Sequence, residues 1–184
     1  MIKSIALVAA CIVWSVTGAF AQTFPARSMR IVVPFPAGGG ADLWASIIGQ
    51  KLGEAWGQNV IVDNRAGASV IIGTELVSKA APDGDTLLLG TTGTHATNPV
   101  VFKKLSYDPL RDFAPITNFV DTPFMLVVHP SIAVKSLQDL IGFAKARPGQ
   151  LTFASFGNGS SAHLAGELFK SRAKIDLLQV PYKG

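Results

Sequence analysis

Two short stretches hold most of the candidate chemistry: Phe35-Pro36-Ala37-Gly38-Gly39-Gly40-Ala41-Asp42 and Gly157-Asn158-Gly159-Ser160-Ser161-Ala162-His163. Each follows a strand-like run and opens a helical pattern. A strand feeding such a loop leaves unpaired backbone N–H groups and the positive helix end pointing outward together, which suits an anion without any basic side chain. Glycine lets a ligand approach the main chain closely and permits positive φ in the turn. The plainer reading of either loop is a tight strand-to-helix turn. Their recurrence favours a shared site, with both loops closing on one small anion. Neither glycine-rich loop contains Lys or Arg, so selectivity would rest on hydrogen-bond geometry more than on ion pairing.

Other chemistries fit less well. The first loop does not match G-x-G-x-x-G, and no G-x-x-x-x-G-K-[ST] occurs. Around Ser160 the order Gly-Asn-Gly-Ser-Ser is not the G-x-S-x-G elbow. A secreted α/β serine hydrolase using Ser160 or Ser161 with His163 is the alternative, but His163 lies so near along the same helix that cap packing is simpler. His95, His129 and His163 are scattered without metal-ligand spacing, and no metal or cofactor is expected. Asp42 reads either as a helix N-cap or as a selectivity residue accepting a hydrogen bond from a ligand amino or hydroxyl group. Thr91, Thr92 and Thr94, after the third strand, offer hydroxyl donors at the same sheet edge, and His95 beside them is a further candidate. Arg65 is a surface turn residue or a remote electrostatic contributor.

The elements that must position these residues alternate. Arg30–Phe35 is a strand stopped by Pro34 and Pro36. A helix from Asp42 to Gly57 places Leu43, Ile47, Ile48, Leu52, Ala55 and Trp56 on an apolar face. Val60–Val62 is a second strand. A helix over 70–80 buries Ile72, Leu76, Val77 and Ala80, and Leu87–Gly90 is a third strand. Strand–helix–strand–helix–strand with short turns predicts a parallel sheet. An irregular connection over 93–115 leads to an extended segment over 116–128, either a strand crossing between two lobes or a hairpin. A second α/β unit follows: helix 137–147, strand 151–156, helix 162–174 with Leu164, Leu168 and Phe169 inward, and strand 177–181.

Composition sets the outer bounds. The 184 residues are 48% apolar and 15% charged, far from a disordered composition. The net charge is +4, with no basic run longer than Lys103-Lys104 and no interleaved aromatics, which argues against a nucleic-acid partner. One cysteine excludes a disulfide scaffold. Lys3, an apolar run from Ile5 to Val16 and Ala19-Phe20-Ala21 describe a secretory signal peptide over 1–21, cleaved after Ala21. The run is short for the roughly 20 residues of a spanning helix. Its removal leaves a cysteine-free chain suited to a bacterial periplasm.

The residues at 31–42, Ile-Val-Val-Pro-Phe-Pro-Ala-Gly-Gly-Gly-Ala-Asp, carry a resemblance that further segments extend. These are Asn64-Arg65-Ala66-Gly67-Ala68, Ala81-Pro82-Asp83-Gly84, Tyr107-Asp108-Pro109 with Asp112-Phe113-Ala114-Pro115-Ile116, Gly157 to Leu164, and Val180-Pro181-Tyr182-Lys183-Gly184. Together they resemble the periplasmic substrate-binding proteins of tripartite tricarboxylate transporters, the Bug (Bordetella uptake gene) family. The resemblance implies a two-lobed α/β fold of the type II periplasmic-binding-protein kind, closing like a Venus flytrap on a small carboxylate. That ligand is a di- or tricarboxylate, an amino acid or an aromatic acid. By the same resemblance the first loop (Phe35, Ala37, Gly39, Gly40, Asp42) and the second (Gly157, Asn158, Ser160, Ser161, His163) grip the carboxylate. The position of Asp42 contributes to ligand choice, and inner-membrane permease subunits receive the ligand from a monomeric protein. The expected organisation is a first lobe over 22–120 and the start of a second over 121–184, incomplete because family members continue past Val-Pro-Tyr-Lys-Gly. A nonfunctional fragment is the remaining alternative. One segment departs from the family: where Pro-Gly-Ala-Gly-Gly-Asn is usual, this chain has Ala66-Gly67-Ala68-Ser69-Val70-Ile71. The loss of two glycines stiffens that loop.

Overall fold

The computed structural model describes residues 24–182; the signal-peptide reading and Lys183-Gly184 lie outside them. Among the described residues, five strands and five α-helices follow in order: β1 (Met29–Val33), α1 (Gly40–Trp56), β2 (Val60–Asn64), α2 (Ile71–Ser78), β3 (Thr86–Leu88), α3 (Asn98–Val101), α4 (Leu137–Ala146), β4 (Thr152–Ser155), α5 (Ser161–Ala173) and β5 (Leu178–Pro181). The expected alternation produces two parallel sheets. In the first the order is β2-β1-β3, with Met29 opposite Val60 and Arg30 opposite Thr86. The second pairs β4 with β5, Thr152 opposite Leu178. Because every pairing is parallel, the carboxyl ends within each sheet share one edge, and the loops leaving that edge are where a ligand site is expected.

β1 is the central strand, and its β-branched residues are buried: Val32 and Val33 are fully enclosed and Ile31 nearly so. Ile31, Val33, Ala45 and Leu89 form the first core, joined by Ile48, Leu52, Val60 and Val62. The contact face of α1 keeps Ile48 and Leu52 as expected but is rotated away from the rest of the expected set. Leu43, Ile47 and Trp56 are exposed, while Ala45 and Gly49 meet the sheet. A Cβ on Gly49 would lie 3.4–3.7 Å from Val60, Val62 and Ile31, so the helix settles where its residues are smallest. The same correction applies to α5. Leu164 and Leu168 face outward, and Phe169 and Ala173 join the second core with Ala144, Ile175 and Leu177. At Gly166 the helix comes so close to Phe153 of β4 that a Cβ would overlap the ring. Gly166, Phe169 and Ala173 share one helical face at i, i+3 and i+7, opposite Leu164 and Leu168. In α2, Ile72 is exposed while Gly73 and Thr74 are buried.

Two other expectations are revised. The connection over 93–115 is not wholly irregular, because a π-helical turn over Gly93–Thr97 runs straight into α3. Its wide turn is held from the side by Tyr107, whose hydroxyl donates to the Thr94 carbonyl at 2.6 Å. Residues 116–128 carry no strand pairing among the described residues, and Ile116, Phe124, Met125, Leu126 and Val127 are exposed.

Candidate functional site

The first glycine loop is built around Asp42, which is not the N-cap. Gly39 takes that place, and Asp42 lies three positions in, on the first turn of α1. From there one carboxylate oxygen accepts the Gly38 N–H at 2.8 Å, and the other accepts from the Asn64 side-chain amide at 3.0 Å. The Gly38 N–H first, and the Asn64 amide second, hold its pKa below the ordinary carboxylate value. Asn64 also donates to the Phe35 carbonyl at 3.2 Å, so the end of β2 fixes both ends of the loop after β1. Gly38 has φ +85°, a conformation glycine adopts without strain. Ala37, Gly39 and Gly40 are exposed, and the N–H groups of Gly40 and Ala41 have no protein acceptor among the described residues.

After β3 the candidates divide. Thr92 is exposed, whereas Thr94 is fully buried and its hydroxyl is committed internally. It accepts the Thr91 N–H and approaches the Thr91 carbonyl, both at 2.8 Å, and meets His95 Nδ1 at 2.7 Å. The one hydroxyl proton serves either the Thr91 carbonyl or His95 Nδ1, so this contact ties the imidazole to the buried threonine. Burial lowers the His95 pKa, keeping the ring neutral, and the ring packs edge-on against Phe113. Arg65 pairs with Asp63 on the surface at 2.8 Å, matching its reading as a turn residue.

The second loop is held by β4 and by its own helix. Ser155, buried at the end of β4, accepts the Gly157 N–H at 3.3 Å and the Gln179 amide at 2.6 Å. Gly157 and Gly159 adopt φ +113° and +77°. Ser160 caps α5 by accepting the His163 N–H at 3.2 Å, and His163 Nδ1 accepts the Gly159 N–H at 3.0 Å. Acceptance at Nδ1 places the ring proton of a neutral His163 on Nε2. This reciprocal pair is a helix cap: the Ser160 oxygen faces a main-chain N–H, not the imidazole. The N–H groups of Ser161 and Ala162 point out of the helix start with no protein acceptor among the described residues. A carboxylate is the natural partner for such donors.

A cavity of about 400 Å³ lies between the second glycine loop and the loop after β2. Asn158, Gly159, His163 and Leu164 line one side, and the other wall is Ala68, Ser69, Ile71, Val101 and Phe102. The loop after β2 and the end of α3 therefore face the second glycine loop, and Phe35 to Asp42 are not among the walls. Ser69 donates its hydroxyl to the Asn158 carbonyl at 2.6 Å, across the two sheets' loops. The placement of Ser69, Asn64 and Phe102 beside the glycine loops has no local signal in the sequence, and Ala68, Ser69 and Val70 adopt positive φ although none is glycine.

Residues 45–184 match the family described as TctC, tripartite tricarboxylate transporter family receptor. Among curated relatives, a UPF0065 protein in the tcbD-tcbE intergenic region of Pseudomonas sp. (strain P51) is 44% identical over 89% of this chain and 48% of its own length. Protein BugT of Bordetella pertussis is 41% identical over 89% of this chain and 51% of its own. The chain thus spans about half the length of the relatives it matches. Among solved structures, Rpa4515 of R. palustris with adipate superposes with a TM-score of 0.84 at 41% identity, covering 88% of this chain and 54% of that one. MatC of Rhodopseudomonas palustris with bound malate gives 0.80 at 32% identity, covering 88% and 55%. Shared fold, shared sequence and a family match over most of the chain converge, and the chain belongs to the tripartite tricarboxylate transporter receptor family.

Proposed function

We propose that this chain carries the ligand-capturing loops of a periplasmic solute-binding protein, which takes a small carboxylate between a first lobe (22–120) and a second (121–184) and passes it to inner-membrane permease subunits. The observation that carries this reading is the pair of helix starts, α1 and α5, each presenting free backbone N–H groups at the end of a parallel strand. Neighbours described with adipate and with malate support a carboxylate as the ligand class. Asp42, fixed by Gly38 and Asn64, contributes to ligand choice by accepting from a hydroxyl or amino group and by repelling a second carboxylate placed beside it. Thr92, Gly157, Asn158, Ser160, Ser161 and His163 complete the ligand surface, with Thr94 and His95 shaping it from behind. Export by the segment 1–21 delivers the protein to its compartment.

Calorimetric titration with adipate, malate and citrate, followed by recovery of each compound, tests the reading. Saturable binding of a carboxylate recovered unchanged is expected, with Ser160→Ala weakening affinity. Hydrolysis of an ester probe such as p-nitrophenyl acetate, abolished by Ser160→Ala, would instead establish the hydrolase.

A further inference from the structure

The turn between β2 and α2 adopts a conformation that its sequence disfavours. Ala68, Ser69 and Val70 have φ of +46°, +53° and +68° in succession, and none is glycine. L-residues there are strained by steric contact between Cβ and the carbonyl oxygen, most severely for a β-branched residue such as Val70. Such a turn persists only when its surroundings hold it. The holder is Asn98, the first residue of α3, which is fully buried. Its side-chain amide donates to the Ser69 carbonyl at 2.9 Å and approaches the Tyr107 hydroxyl at 3.4 Å, while Tyr107 itself is anchored to Thr94. Asn98 Oδ1 has no partner among the described residues, so the side chain is anchored through its amide N–H groups.

The constrained turn directs the Ser69 hydroxyl at the Asn158 carbonyl, 89 residues away in sequence. Three residues along α3 from Asn98, Val101 closes on the same loop: a Cβ at Gly159 would lie 3.2 Å from it. One short helix therefore serves both sides, holding the Ser69 turn through Asn98 and meeting Gly159 through Val101. We propose that Ser69 is a positioning residue for the carboxylate site, its hydroxyl latching the second glycine loop to the first lobe while Asn98 holds the turn that aims it. The latch keeps the N–H groups at the start of α5 in place for a ligand and slows the reopening of the cleft. Its ligand-dependent part rests on the proposed carboxylate binding; the latch itself does not.

Hydrogen exchange of the ligand-free chain separates the two. In Ser69→Ala the amides of 157–160 should exchange several-fold faster, while those of β1 and β4 keep wild-type protection. Unchanged exchange over 157–160, or equal acceleration throughout, would overturn the latch. With adipate as the probe, stopped-flow kinetics should show dissociation about threefold to tenfold faster in the variant, the range expected for one lost hydrogen bond, with association within about twofold of wild type. A slower association with unchanged dissociation would overturn the proposal. A wild-type chain that binds no carboxylate but shows the exchange pattern would sink the carboxylate reading and leave the latch standing.

Discussion

Asp42 accepts one hydrogen bond from its own loop and one from the neighbouring strand, and both require its charged form or an equivalent acceptor. Its pKa is lowered on folding, so its contribution to stability is complete above the ordinary carboxylate range, about pH 4, and disappears as pH falls through the lower folded value. Asp42→Asn should therefore melt below wild type at pH 7, with the gap closing as the pH is brought below about 4. A gap independent of pH would show that the carboxylate charge plays no part. The same substitution should change the order of affinity among carboxylates more than it changes the fold, which titration of the refolded variant measures. Asp42 could be singled out from the sequence because an acidic residue after three glycines is conspicuous. That it is fixed by Asn64 could not, since the two are brought together only by the parallel register of β1 and β2.

At the scale of elements, close packing depends on the small residues. A Cβ at Gly73 of α2 would stand 2.8 Å from the Arg65 carbonyl oxygen and 3.0 Å from Pro34 Cα, both main-chain atoms with little room to move. Gly73→Ala should cost about 1–3 kcal/mol of stability, seen as a lower urea midpoint. Gly142→Ala on α4, where nothing lies within 4 Å, should instead stabilise by about 0.5–1 kcal/mol. The pair checks whether contact or helix propensity decides the sign. Strand and helix positions were legible because β-branched runs, glycine stops and Pro-Gly turns mark them locally. Helix orientation was less so: in α1 and α5 the apolar periodicity correctly included Ile48, Leu52 and Phe169 but also Leu43, Ile47, Leu164 and Leu168, whereas the closest contacts run through Ala45, Gly49 and Gly166. A glycine gives no apolar signal, yet it permits the closest approach.

Among the described residues, in a chain spanning about half the length of the relatives it matches, two cores stand beside an exposed apolar run. Residues 124–128, Phe-Met-Leu-Val-Val, are exposed and carry no strand pairing among the described residues, the kind of segment that recruits another strand. Met125→Lys with Val127→Lys should lower light scattering on concentration while moving the unfolding free energy by no more than about 0.5 kcal/mol. A large loss of stability would mean that this run packs against the fold. The break at Asp121-Thr122-Pro123 was visible in the sequence, but whether the segment pairs depends on residues distant along the chain.

If loops presenting backbone N–H groups bind a small carboxylate, thermal unfolding in the presence of a panel of mono-, di- and tricarboxylates will register it. A ligand at about 100 times its dissociation constant should stabilise the folded chain by about 2.7 kcal/mol, a clear rise in the melting midpoint. Such a rise is expected for at least one carboxylate, reduced in Ser69→Ala and reordered in Asp42→Asn. A cooperative melt that no carboxylate shifts would contradict carboxylate binding by these loops.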